Sequence, residues 1–221
     1  MEIIIPLFII LIIVLGVVGH KQAKARREML RAWAAERGLQ FDETRRRDVD
    51  DQYPGFDLFR RGSGRYGVNF MTGPWESCQL TIFEYHYQTQ SGSGKNRSTQ
   101  HHRYTVVMLR PPFPLKPLSI RPEGLWDKVT AAFGWDDIDF ESAEFSRRFH
   151  VNAPDRRWAF DVLTPRNMEF LMTHDNVSVL MDEGHIMIPL RGRVDPPAML
   201  NALAVATTIL DGIPAFARQT T

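Results

Sequence analysis

The sequence predicts an α+β fold: an N-terminal transmembrane helix running on into a juxtamembrane helix, then an antiparallel β-sheet domain with helices packed on one side. Three observations carry this. Residues 3–19 (IIIPLFIILIIVLGVVG) form an unbroken apolar run. Between about residues 56 and 120, short runs rich in β-branched and aromatic residues are bounded by Gly and Pro. The second half then alternates helical segments with one hairpin, without the regular strand–helix–strand repeat of a parallel sheet. The chain has 221 residues, 43% hydrophobic and 24% charged, which suffices for a buried core and excludes a mainly disordered chain. A formal net charge of +1 argues against a dedicated nucleic-acid binder, and no nucleic-acid partner is expected. A single cysteine, Cys78, excludes an internal disulfide and any Cys-clustered metal site, and no cofactor is implied.

The order of elements starts at the membrane. The run Ile3–Gly19 is 17 residues long, roughly 26 Å as a helix, against a hydrocarbon core of about 30 Å. Pro6 falls in the first turns, where a missing N–H costs little. A cleaved signal would place its positive charges first; here only Glu2 separates Met1 from the apolar run. Lys21, Lys24, Arg26, Arg27 and Arg31 all follow it. The positive-inside rule therefore predicts an uncleaved single-pass anchor in the inner (cell) membrane, N-terminus outside and the rest cytoplasmic. Lys21, Lys24, Arg26 and Arg27 are the candidate membrane-interface residues, the lipid bilayer being the expected partner. Residues 20–37 contain no Gly or Pro, apart from which Leu30, Trp33, Ala34 and the stem of Arg37 make one apolar stripe, with Gly38 placed to end the helix. The division is thus an anchor over 1–20, a basic juxtamembrane helix over 21–38, a soluble α+β domain over 39–215 and a tail over 216–221.

In that domain Phe56–Phe59 and Tyr66–Phe70 read as short strands. Leu80–Tyr87 and Tyr104–Leu109 read as a long hairpin around a mobile polar loop, Gln90–Arg103. Pro111–Pro117 forces an extended connector before Leu118–Ile120. Helices are predicted over Glu123–Phe133, as a turn over Ser142–Arg148, and over Arg156–Leu163 with Asp155 as N-cap. Thr164-Pro165 starts another through Met172. Val177–Met181 and Ile186–Leu190 alternate as strands around Glu183-Gly184. Asp195-Pro196 opens a last helix to Leu210, closed by Gly212, with Leu200, Leu203, Ala204, Thr207 and Thr208 as a weak apolar stripe.

Phe145, Phe149-x-Val151, Asp155, Leu163-Thr164-Pro165, Met168 and Leu171 together resemble a stretch of an uncharacterised bacterial membrane-associated family, a domain of unknown function. The resemblance implies membrane association and no agreed activity. Read physically, Phe145, Phe149, Val151, Leu163 and Leu171 pack, while Asp155 and Thr164-Pro165 set helix starts.

Motifs that carry chemistry are sparse. Ser93-Gly94-Lys95 lacks the earlier Gly and the following Ser or Thr of a phosphate loop, with Thr89 and Asn96 at those positions. Asp136, Asp137, Asp139 and Glu141 form an acidic group without the central Gly and final Glu of a calcium loop. His86, His101 and His102 approach one another across the hairpin, but adjacent His101 and His102 face opposite ways on a strand. Cys78 opens an apolar strand and reads as buried, and Pro111-x-x-Pro114-x-x-Pro117 as a rigid connector. The leading expectation is a membrane-anchored cytoplasmic binding or scaffold module with an unspecified protein or lipid partner. Two others stand beside it: a metal-assisted hydrolase using Asp136, Asp137 or Asp139 with a histidine, and anionic-lipid headgroup sensing by the basic helix.

Overall fold

The computed structural model describes residues 4–92, 97–123, 138–174, 176–182 and 184–219, with side chains from Val14 onward. The first element, α1 (Ile4–Ala35), is one continuous helix. Ile3 and the side chains of residues 4–13, which carry most of the predicted span, lie outside the described residues. Among the described residues no helix is long and apolar enough to cross a membrane. Leu30, Trp33 and Ala34 are buried in the main core, as the stripe predicts, and the Arg37 guanidinium lies over the Trp33 ring at 4.5 Å. The helix ends in a Schellman motif. Gly38 takes φ +67°, its N–H donates to Ala35 O (3.1 Å), and the Leu39 N–H reaches back to Ala34 O (2.9 Å).

Among the described residues, eight strands form one antiparallel sheet in the order β1-β2-β3-β4-β8-β7-β5-β6. They are β1 (Gln40–Asp42), β2 (Ser63–Trp75), β3 (Cys78–Ser91), β4 (Ser98–Arg110), β5 (Leu118–Pro122), β6 (Phe149–Asn152), β7 (Val179–Asp182) and β8 (His185–Arg191). The helices are α1, a single turn α2 (Val49–Gln52), α3 (Ala143–Arg148), α4 (Arg156–Val162), α5 (Pro165–Met172) and α6 (Pro196–Asp211). Side-chain alternation sorts the strands onto two faces. Leu80 and Ile82 of β3, Val107 and Leu109 of β4, and Ile186 and Ile188 of β8 meet α1 and α3–α6 in one core. Phe83, Tyr85, Val106, Met108 and Met187 point the other way, under a cover formed by the β1–β2 connection, whose Val49, Phe56, Leu58 and Phe59 pack on them.

Helix starts follow their caps. The Asp155 carboxylate accepts from the Trp158 N–H (3.1 Å), Thr164 Oγ1 from the Asn167 N–H (3.3 Å), Ser142 Oγ from the Phe145 N–H (3.3 Å) and Asp195 from the Ala198 N–H (3.1 Å). Phe145, Phe149, Val151, Leu163 and Leu171 are all buried.

Several expectations are corrected. Most of the predicted loop Gln90–Arg103 is strand, β3 and β4 staying paired out to Ser91 and Ser98. Phe56–Phe59 is not a strand; Asp57–Arg60 is a 3-10 turn, its rings consumed by the second core. The strands β1 and β6 were not foreseen. The α6 stripe is broader and rotated: Met199, Ala202, Leu203, Val205, Ala206, Ile209 and Leu210 are buried, because the helix lies over both β4 and β8 and against α5. The helix predicted over Glu123–Phe133 lies, after Glu123, outside the described residues, as does Ser93-Gly94-Lys95.

Candidate functional site

The cover stops short of the far strands, and the gap is a cleft. In β5, Leu118 and Ile120 enter the helix-side core, so Ser119 and Arg121 face away from it. In β7, Val179 and Met181 face the helices, leaving Leu180 and Asp182 on the opposite face. Pro189 and Arg191 of β8 and Tyr104 of β4 continue that surface, Val106 pairing with Pro189 and Tyr104 with Arg191. The cover supplies the other wall with Gly55–Leu58 and Arg61. The cleft has a volume of about 340 Å³.

Close contacts pin the cover beside the cleft. The Tyr85 hydroxyl donates to Phe59 O (2.8 Å). Beyond it, the Tyr53 ring stands edge-on to His185 at 5.3 Å, and Gly55 lies so close to Asp182 that a Cβ there would sit 0.9 Å from Oδ2. A side chain at that position forces the Asp182 carboxylate to move.

The cleft holds three guanidinium groups (Arg61, Arg121, Arg191), two carboxylates (Asp57, Asp182) and the hydroxyls of Ser119, Ser178 and Tyr104 against largely apolar walls. Burial raises the Asp57 carboxyl above its ordinary value, opposed by Arg61, Arg121 and Arg60. Burial likewise lowers Arg121, helped by the like charge of Arg61 and opposed by Asp57. Ser119 is 7% exposed, and its Oγ has no hydrogen-bond partner among the described residues. A buried hydroxyl in that state costs about 1–3 kcal/mol, which a polar ligand atom would relieve. Guanidiniums, hydroxyls and apolar walls on one concavity are the groups that ligand sites combine.

The fold this cleft sits in has a structural counterpart. No family model and no curated protein matches the chain. A crystal structure of a mycobacterial protein, the trehalose monomycolate transport factor A (TtfA), superposes with a TM-score of 0.62 at 12% identity, covering 85% of this chain and 96% of that one. The two share a fold. TtfA thus places the eight-stranded antiparallel sheet and its helices in a known architecture, and at that identity the likeness extends to the fold alone.

The residues singled out in the sequence fall elsewhere. Of the four membrane-interface candidates, Arg26 turns inward: its Nε pairs with the buried Glu84 carboxylate and its Nη2 donates to Val194 O (2.8 Å). Glu84 also accepts from Asn69 Nδ2 (2.8 Å) and lies 3.6 Å from Arg193. Asn69 reaches it from a β-bulge in β2, in the left-handed conformation (φ 57°) that Asn tolerates. Lys21 and Lys24 are exposed, Lys24 beside Glu28 (3.8 Å), and Arg27 pairs with Glu43 at 3.6 Å.

His86 Nε2 and His101 Nδ1 meet at 3.0 Å, whereas His102, on the other face, contacts Thr89 (2.8 Å) and stacks on Tyr87. Among the described residues no three His, Cys, Asp or Glu side chains converge as metal ligands. Asp136 and Asp137 lie outside the described residues, and Asp139 is exposed. Cys78 is buried, which raises its thiol pKa.

The sequence reading missed the cleft. Strict alternation through Leu118-Ser119-Ile120-Arg121 was sufficient to put Ser119 and Arg121 on one face. Nothing local announces that Asp57 and Arg61 meet them.

Proposed function

We propose that the chain is a membrane-tethered binding module whose cleft between the cover and strands β5 and β7 takes the ligand or partner. The observation that carries this is the cleft itself: guanidiniums and an unpartnered buried hydroxyl on an apolar concavity. Tethering is supported by the apolar run 3–19, followed by Lys21, Lys24, Arg26, Arg27 and Arg31. In this reading the run is a single-pass anchor in the cell membrane, N-terminus outside and body cytoplasmic. The fold shared with a factor named for transport of trehalose monomycolate, a lipid, is consistent with work at a membrane.

Two measurements test it. A fluorescent protein fused to the C-terminus should glow and a phosphatase fused there stay inactive, and the chain should resist alkaline carbonate extraction until residues 1–20 are deleted. The reverse fusion pattern overturns the orientation; extraction of the intact chain overturns the anchor. For the cleft, a photocrosslinking amino acid at Leu180 should form adducts in cells and one at exposed Phe216 should not; equal yields, or none at Leu180, sink the binding site.

A second reading follows from the exposure of Lys21 and Lys24. With Arg26 committed to Glu84, anionic headgroups are attracted by Lys21, Lys24 and Arg27, each contributing about 1 kcal/mol near the surface. Replacing the three by Gln should weaken binding to anionic vesicles and remove its salt sensitivity; unchanged binding refutes the role.

A further inference from the structure

We infer that the outer end of the β3–β4 hairpin is a second membrane contact, Arg97 and Arg103 resting on anionic lipid headgroups beside the point where α1 enters the bilayer. This rests on the reading of residues 3–19 as an anchor and adds a surface that an anchor by itself does not require.

The first observation is direction. Leu39, just beyond α1, packs against Gly73, which pairs with Leu80 of β3. Nearer its N-terminal end, at Arg26, the helix meets Glu84. Helix and strand therefore climb together, α1 toward its N-terminus and β3 toward its C-terminus. The second is length. From Arg26 to Gly19 the helix rises about 10 Å. From Glu84 to Ser91, the last residue of β3, the strand advances about 23 Å. Even inclined to the helix by some tens of degrees, the hairpin overtakes Gly19 and reaches the level of the proposed span.

The third is what the hairpin exposes there. β2 pairs with β3 only as far as Gln88 and β8 with β4 only as far as Tyr104, so beyond those residues the ribbon has two open edges among the described residues. Open edges do not occur in hydrocarbon, and Thr89, Gln90, Ser91, Ser98, Thr99 and Gln100 offer it no large apolar side chain. The headgroup layer is the part of a bilayer that suits them. The fourth is charge. Residues 85–122 contain no Asp or Glu in a chain that has 26, while Arg97 and Arg103 are exposed. Arg103 pairs with His86, two residues past Glu84, so it shares the sheet face on which α1 lies, about level with Lys21. Arg97 donates to Gln90 across the ribbon, and a guanidinium with further donors keeps them for phosphate. Each such charge near an anionic surface is worth about fivefold in association.

The test places a nitroxide on the full chain, in a Cys78→Ala background, at Ser98→Cys, Gln79→Cys or Val14→Cys. The chain is held in phosphatidylcholine nanodiscs, with or without phosphatidylglycerol, that contain a trace of lipid carrying a gadolinium chelate on its headgroup. Ser98 and Gln79 are both exposed and lie at opposite ends of the hairpin, about 40 Å apart. Gadolinium should speed relaxation at Ser98, more so with phosphatidylglycerol, and leave Gln79 unchanged. Arg97→Gln with Arg103→Gln should remove the dependence on anionic lipid, and the charge-keeping pair Arg97→Lys with Arg103→Lys should retain most of it. Equal relaxation at Ser98 and Gln79 overturns the inference, the hairpin then standing in water or against a protein. Relaxation at Ser98 that ignores lipid charge, or that survives the Gln pair unchanged, refutes the headgroup contact. The Val14 label judges the anchor separately, since in lipid it should be open to dissolved oxygen and shielded from a water-soluble chromium complex. Val14 in lipid with Ser98 remote sinks this inference alone; Val14 in water sinks the anchor and this inference with it.

Discussion

Glu84 is 5% exposed and gathers Arg26 of α1, Asn69 of β2 and Arg193 after β8 around one carboxylate. Arg26 itself is nearly as enclosed, its side chain 16% exposed. Removing one partner of a pair buried this deeply leaves the other charge uncompensated, at a cost of about 3–5 kcal/mol, whereas replacing both by apolar side chains can be close to neutral. Arg26→Met and Glu84→Met should therefore each lower the urea midpoint strongly, and the double variant should lie above either single one; additive losses would show that the two charges do not depend on each other. A milder effect is expected at Asp42, where hydrogen bonds from Arg46 and Thr44 hold the carboxyl at about 2. A folded-state value below the unfolded one stabilises the fold above the ordinary carboxylate range, and that contribution is lost as pH falls through about 4 toward 2. Asp42→Asn should flatten stability over that window, measured by urea unfolding at stepped pH.

Among the elements, those set by local chemistry were legible. Ser142, Asp155, Thr164 and Asp195 were each readable as helix starts because a cap satisfies donors within three residues of itself. Gly38 was readable as a stop because glycine takes the positive φ that turns the chain back onto the last helical carbonyls. Elements whose identity depends on distant partners were not. The strand β1 has three residues and β6 four, too short to show a period, and both exist through pairing with β2 and β5. Phe56-Asp57-Leu58-Phe59 alternates like a strand, but Phe59 stacks edge-on against Tyr85 at 5.0 Å and lies 5.7 Å from Phe83, contacts that favour a tight turn. Gly212 marks the end of α6 for a reason not readable in sequence. Its φ is −74°, and what demands glycine is Asn167, whose Oδ1 would lie 2.0 Å from a Cβ there. The cover makes the same demand at Gly55. Gly55→Ala should destabilise the protein by about 1–3 kcal/mol through overlap with Asp182. Asp182→Ala in the same chain should recover part of the loss, since the nearest remaining atom is then Cβ at 3.0 Å. Full additivity in thermal unfolding would show that the two do not touch.

For the whole molecule, the sheet order carries the chain from the β1–β4 meander across to β8, β7, β5 and β6, so the cover that follows β1 ends over strands contributed by the second half. That crossing is why the cleft was invisible in sequence: Asp57 and Arg61 belong to one side of the chain, and Ser119, Arg121 and Leu180 to the other. The same integration fixes α1. Helix geometry is unbroken from Ile4 to Ala35, Arg26 is bolted to Glu84, and seven residues, about 10 Å, separate it from Gly19. If residues 3–19 sit in the bilayer as proposed, the azimuth of the body is locked to the anchor. Two alanines inserted between His20 and Ala23 should turn the body by about 200° and cut the Leu180 crosslink yield, while four, about 40° from the original heading, should restore much of it. Equal yields in both insertions would mean that heading is irrelevant. A mast without a swivel can present its opening in one compass direction only, and whatever enters must travel to it along the membrane plane, a search in two dimensions and at one fixed altitude.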